Sequence, residues 1–153
     1  MPHLLIAVRE GRVGGAERLV LESLPTLEAA FQARLTTTPL PWESRSPLTR
    51  EDACDARAVL TGRTEVLYTH LFVPGLLARL ARLFGSRARW VHAAHFDDYA
   101  ALRLGRVREW IDRRWVFPAA DRVVAVSPRV AEGLEGLPGV RAGVRLLENA
   151  IEM

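Results

Sequence analysis

The chain has 153 residues, 49% of them hydrophobic and 25% charged, with a formal net charge of +3. That length suits one domain with a buried core, and the balance excludes disordered, fibrous and collagen-like classes. No apolar run reaches the length of a membrane span, and the start "MPHLLIAVRE" lacks the basic and long apolar regions of a secretory signal. Cys54 is the single cysteine, so an internal disulfide is excluded and a reducing, cytoplasmic location is expected. All 21 basic residues are arginine, which suits phosphate and carboxylate partners. A small positive excess without an accompanying motif does not point to nucleic acid.

In chain order, an apolar strand at Leu4–Val8 is followed by a loop carrying Gly11, Gly14 and Gly15. A helix is expected over Ala16–Phe31, with Pro25 kinking or interrupting it. The second strand, Ala33–Thr37, runs into a proline-rich loop at Pro39–Pro47, the least regular part of the chain. Then come a helix at Thr49–Leu60, a strand at Val66–Tyr68, a helix at Pro74–Phe84 and a strand at Trp90–Ala93. A helix at Tyr99–Val116, a strand at Val123–Val126, a helix at Pro128–Leu134 and a strand at Val144–Leu147 complete the alternation. Near-continuously apolar strands alternating with helices predict an α/β fold. The expected form is a single doubly wound, Rossmann-like domain, with a mostly parallel sheet of about six strands and helices on both faces.

In such a sheet, ligands bind where the carboxyl ends of the strands meet the following loops. The first strand delivers Gly14 and Gly15 there, and "LYTHL" delivers Thr69 and His70. "WVHAAHFDD" delivers His95, Asp97 and Asp98, "RVVAVSP" delivers Ser127, and "RLLENAI" delivers Glu148 and Asn149. Glycines lacking Cβ let a backbone approach a ligand closely at a helix start, and a phosphate or diphosphate is the natural guest. A plain strand–helix turn explains the same residues. The loop is neither a dinucleotide fingerprint nor a Walker loop.

His95 has the chemistry of an acid, a base or a hydrogen-bonding group, and a histidine satisfied by a neighbouring loop is the plainer alternative. His92 and His95 are three apart on a strand, which sends them to opposite faces and argues against a shared metal. Asp97 and Asp98 fit helix capping better than catalysis. Ser127 before Pro128 reads equally well as a helix N-cap. The segment "RLGRVREWIDRRWVF" places Leu104, Val107, Ile111 and Trp115 on one stripe, with arginines mostly off it. A core-facing helix with a solvated basic side is the plainer reading, and peripheral contact with an anionic membrane is the sharper one.

"GGAERLVLESL", "VLYTHL", "RWVHAAH", "AADRVVAVSPRVAEGL" and "VRLLENAIE" together resemble, in order and spacing, the amino-terminal domain of family-4-like glycosyltransferases of the GT-B fold. The resemblance covers essentially all 153 residues. It implies the acceptor-side lobe of a retaining, metal-independent enzyme that moves a sugar from a nucleotide-sugar to an acceptor. On that resemblance Gly14 and Gly15 face the donor's diphosphate, and His95 matches the family histidine that contacts the transferred sugar. His70 stands at a second cleft-edge position, and Asp97, Ser127 and Asn149 are further substrate-side candidates. "ENAIE" is similar to the family's Asn-Gly-Ile-Asp stretch, with Ala150 and Glu152 departing from it.

The family's carboxy-terminal donor-binding lobe, with its Glu-x7-Glu motif, is not in this chain. Glu43 and Glu51 share that spacing by coincidence, in the wrong lobe. The implied partners are therefore that second lobe, on the same or another polypeptide, and a nucleotide-sugar co-substrate. A stand-alone binding or scaffolding module is the alternative, and a nucleotide-dependent oxidoreductase is a weaker third.

Overall fold

The computed structural model describes residues 3–9, 20, 22, 25–29, 32–38, 64–95, 105–135, 137, 140 and 144–147, the first two strands by backbone alone. The strands are β1 (His3–Arg9), β2 (Gln32–Thr38), β3 (Val66–His70), β4 (Arg89–Ala94), β5 (Arg122–Ala125) and β6 (Arg145–Leu146). They form one sheet in the order β2-β1-β3-β4-β5-β6, and every neighbouring pair is parallel. The expected α/β doubly wound class is what the chain adopts. The expected helix at Thr49–Leu60, the Pro39–Pro47 loop, and the residues Gly14, Gly15, Asp97 and Asn149 lie outside the described residues.

Strand order fixes where a ligand can go. From β1 the chain moves outward to β2, whereas from β3 it moves the opposite way to β4, β5 and β6. Right-handed crossovers then place the β1–β2 connection on one face and the later helices on the other. The reversal lies between β1 and β3, and a crevice opens at their carboxyl ends.

The first helix after β3 is α1 (Phe72–Leu83). Pro74 sits in its first turn, where a missing N–H breaks no intrahelical bond. It stops at Gly85, whose φ of 97° is one that glycine adopts at no steric cost. The Gly85 N–H donates to Arg82 O at 3.1 Å and the Ser86 N–H to Ala81 O at 3.0 Å, the paired bonds of a Schellman stop. The buried residues of α1, Pro74, Gly75 and Ala78, are small, and they let the helix lie close on the sheet.

The helix expected at Tyr99–Val116 is helical throughout its described part, 105–116, but its winding changes along the way. The α-helical part, α2 (Gly105–Ile111), passes into a π-helical turn at Asp112–Val116 and a 3-10 turn at Phe117–Ala119. Its buried residues are Gly105, Asp112, Val116 and Phe117; of the expected stripe, Ile111 packs against the core, Trp115 is half-buried and Leu104 lies outside the described residues. Val107 is 54% exposed and Trp110 64%, so the reading of Val107 as core-facing is corrected. The reason lies in the neighbouring helix. The Arg108 guanidinium of α2 stands over the Phe72 ring of α1 at 5.5 Å, and the Arg79 guanidinium of α1 stands over the Trp115 ring at 5.6 Å, so Arg108 and Trp115, not Val107, face α1.

The core under this layer joins Leu67, Trp90, Ala94, Val123 and Ala125 of the sheet to Ala78, Val116 and Phe117. The last helix, α3 (Pro128–Glu135), adds Val130, Ala131 and Leu134 to the same cluster. At the amino ends of β4 and β5 a polar clamp closes the layer. Asp121 accepts from the Trp90 N–H at 2.7 Å and pairs with Arg82, which also donates to Ala88 O and Ala119 O.

Candidate functional site

Side-chain parity along β3 and β4 sorts three histidines onto two faces. Thr69 is in register with His92, and His70 with Ala93. Side chains alternate along a strand, so Leu67, Thr69, Trp90, His92 and Ala94 share one face, while Tyr68, His70, Val91 and Ala93 share the other. His95 lies two residues beyond Ala93 and follows it. The odd spacing of His92 and His95 has therefore sent the two rings to opposite sides, as expected from the sequence.

On the helix-covered face, the Trp90 indole N–H donates to Thr69 Oγ1 at 2.8 Å. Thr69 Oγ1 also lies 2.8 Å from His92 Nδ1. Having accepted from the indole, the hydroxyl is set to donate its own proton to Nδ1, which satisfies all three groups. The His92 ring centroid is 5.6 Å from that of Phe117, and Gly75 of α1 lies directly against the ring. This network is buried and belongs to the core; sequence reading missed it, because Thr69 and Trp90 gave no sign of a polar partner.

On the other face, His70 is the last residue of β3 and is 1% exposed. Its Nδ1 is 3.0 Å from His95 Nε2, and its ring centroid is 4.3 Å from that of Tyr68. His95 is half-buried, one residue beyond the end of β4. Burial holds His70 down to about 3, with smaller contributions from His95 and His92. Burial likewise lowers His92 to about 3, with a contribution from His95, and His95 to about 4. All three imidazoles are thus neutral at pH 7. A neutral pair can donate and accept hydrogen bonds but supplies no positive charge.

Leu71, directly after His70, has φ 68° and ψ 173°, a region that is essentially glycine's alone. It is also the N-cap position of α1, where its side chain makes no cap. The strand therefore turns sharply into a helix whose amino end meets the crevice. Nothing about a leucine in "THLFVPG" signals this geometry. Ser127, expected at the rim, is the N-cap of α3: its Oγ accepts from the Val130 N–H at 3.3 Å, with Pro128 at the first helical position. That bond leaves the hydroxyl proton uncommitted to the cap. The structure thus brings His70 and His95 together, puts Ser127 at the carboxyl end of β5, and does not describe Gly14, Gly15, Asp97 or Asn149.

Solved structures share this fold. One is UDP-N-acetylglucosamine 2-epimerase from Rickettsia bellii, with a TM-score of 0.63 and 12% identity over 95% of this chain and 44% of that one. Another is Anabaena Alr3699/HepE, solved in complex with UDP and glucose, with a TM-score of 0.56 and 16% identity over 97% of this chain and 45% of that one. The chain spans less than half the length of either. No curated protein matches it. The family model of Glycosyltransferase Family 4 matches residues 18–153, nearly the whole sequence, and the chain belongs to that family.

Proposed function

We propose that this chain is the acceptor-side lobe of a retaining glycosyltransferase, which moves a sugar from a nucleotide-sugar to a glycan, lipid or small-molecule acceptor once a donor-binding lobe completes the cleft. The observation that carries the reading is the hydrogen-bonded pair His70–His95 at the carboxyl ends of β3 and β4, on the ligand-binding edge of the sheet, in a chain of this family. A neutral imidazole suits a sugar hydroxyl, so His95 is the residue assigned to the transferred sugar. Gly14 and Gly15 are assigned to the diphosphate, and Asp97, Ser127 and Asn149 to the substrate side of the cleft.

Both structural neighbours carry a UDP compound in their names or complexes, which supports a nucleoside-diphosphate sugar as co-substrate. No metal is assigned a role. The exposed Trp110, Val107 and Arg106 on α2 support the reading of a peripheral contact with anionic membrane.

The test begins with the size of the native protein, detected by an antibody to this domain. A species of about twice the 17.1 kDa of this chain, or more, is expected for a two-lobed enzyme. Transfer from UDP-glucose, UDP-N-acetylglucosamine and GDP-mannose is then assayed in that protein and in this chain alone. The two-lobed protein should turn over, this chain should not, and His95→Ala should cost about 10²-fold or more. Turnover by the isolated chain would refute the half-site reading.

A further inference from the structure

We propose that His70 is a positioning residue: it donates its Nδ1–H to His95 Nε2 and thereby fixes His95 as the Nδ1–H tautomer. A neutral imidazole carries one N–H and one lone pair. The 3.0 Å contact between His70 Nδ1 and His95 Nε2 needs one of each, so only two arrangements are self-consistent. If His95 donated from Nε2, the proton of His70 would sit on its own Nε2. That atom is buried and has no hydrogen-bond partner among the described residues. A buried, orphaned N–H is rarer than an under-used acceptor, because a donor has no second way to be satisfied. The arrangement that leaves Nε2 of His70 as a bare lone pair is therefore selected, and His70 is the donor.

The consequence falls on His95. Its Nε2 is occupied as an acceptor, so its one proton lies on Nδ1, the less common form of a free histidine side chain. What the half-buried ring then has left to offer is a donor, not a base. The geometry is held firmly. His70 is in register with Ala93, its ring lies against Tyr68, and its backbone leads into the strained Leu71. The value of this arrangement for sugar transfer rests on the function proposed above, but the tautomer is measurable without it.

The experiment is a long-range proton–nitrogen correlation spectrum of the 15N-labelled full chain at pH 7. A protonated Nδ1 and an unprotonated Nε2 are expected for His95, and the same for His70. His70→Phe keeps the ring volume but removes the donor, and should return His95 to the Nε2–H form. His70→Asn places an amide N–H near the Nδ1 position and should retain the Nδ1–H form. An Nε2–H tautomer of His95 in the unsubstituted chain overturns the inference, as does an unchanged tautomer in folded His70→Phe. The first reading needs no variant, so it stands even if His70→Phe does not fold. Failure of the two-lobed protein to transfer sugar would overturn the function and leave these spectra as they are.

Discussion

Replacing Gly75 by alanine tests whether α1 is seated on the sheet as closely as described. In an open helix the change would stabilise by roughly 1 kcal/mol, because glycine is the poorer helix former. Here the added Cβ would stand 2.6 Å from His92 Cε1, 3.0 Å from His92 Nδ1 and 3.1 Å from Val116 Cγ1. The His92 ring has nowhere to retreat: it is hydrogen-bonded to Thr69 and flanked by Trp90 and Phe117. Overpacking of this kind costs about 1–3 kcal/mol, and disturbing the Thr69–His92 bond costs about 1 kcal/mol more.

The net expectation for Gly75→Ala is a loss of about 2 kcal/mol, which for a domain of this size lowers Tm by roughly 4–8 °C. Urea unfolding of the full chain measures it. The same substitution on a His92→Ala background should recover part or all of the helix-propensity gain, so a double-mutant cycle should give a coupling of at least about 1 kcal/mol. A Gly75→Ala chain as stable as the parent, or more so, would refute the close seating.

Three further outcomes follow from the same structure. His70, His92 and His95 stay unprotonated in the fold down to about 3, 3 and 4, whereas in the unfolded chain they take up protons from about 6.5. The unfolded state therefore binds more protons below pH 6.5, and stability should fall with falling pH at up to about 4 kcal/mol per unit for three sites while these sites add no slope above pH 7; flat stability between pH 7 and 5 would contradict the burial of the three rings. Asp121→Ala should cost about 1–2 kcal/mol in urea unfolding, chiefly through the stranded Trp90 N–H because the ion pair with Arg82 is part-exposed, and unchanged stability would show the clamp to be idle. Leu71→Gly should be about 1 kcal/mol more stable than Leu71→Ala, since both lose the half-buried leucine side chain and only glycine relieves the backbone strain, and a Leu71→Gly chain no more stable than Leu71→Ala would show that no strain is stored there.

The sheet was legible because its strands are apolar runs bounded by turn residues, and Val66–Tyr68 and Trp90–Ala93 fall inside β3 and β4. The opposite facing of His92 and His95 was legible too, since it depends only on parity. The pairing of His70 with His95 was not, because it needs strand register, and no local pattern states that Ala93 lies beside His70. The change of winding from α2 into a π turn escaped for a similar reason. Periodicity in "RLGRVREWIDRRWVF" assumes a constant turn, whereas Arg79 and Arg108 meet aromatic rings across the α1–α2 contact, beyond any sequence window. The strain at Leu71 left no trace, since leucine is the wrong residue for that backbone and only the surrounding fold imposes it.

Neutrality of the described rim separates what it can recognise from what it cannot. His70 and His95 carry no charge at pH 7, while a nucleoside diphosphate is anionic. Offsetting that charge needs cations or aligned backbone N–H groups, so in the function proposed here it falls to groups other than this pair. The histidines are left to read the sugar. In the two-lobed protein, His95→Ala should therefore leave UDP affinity within about 2-fold, because removing a neutral hydrogen-bonding group leaves electrostatic binding in place. Affinity for UDP-glucose should fall by about 5- to 10-fold, the worth of roughly one hydrogen bond. Calorimetric titration of both ligands against both proteins reads the difference directly. Equal weakening of UDP and UDP-glucose would place His95 against the phosphates and refute its role in reading the sugar.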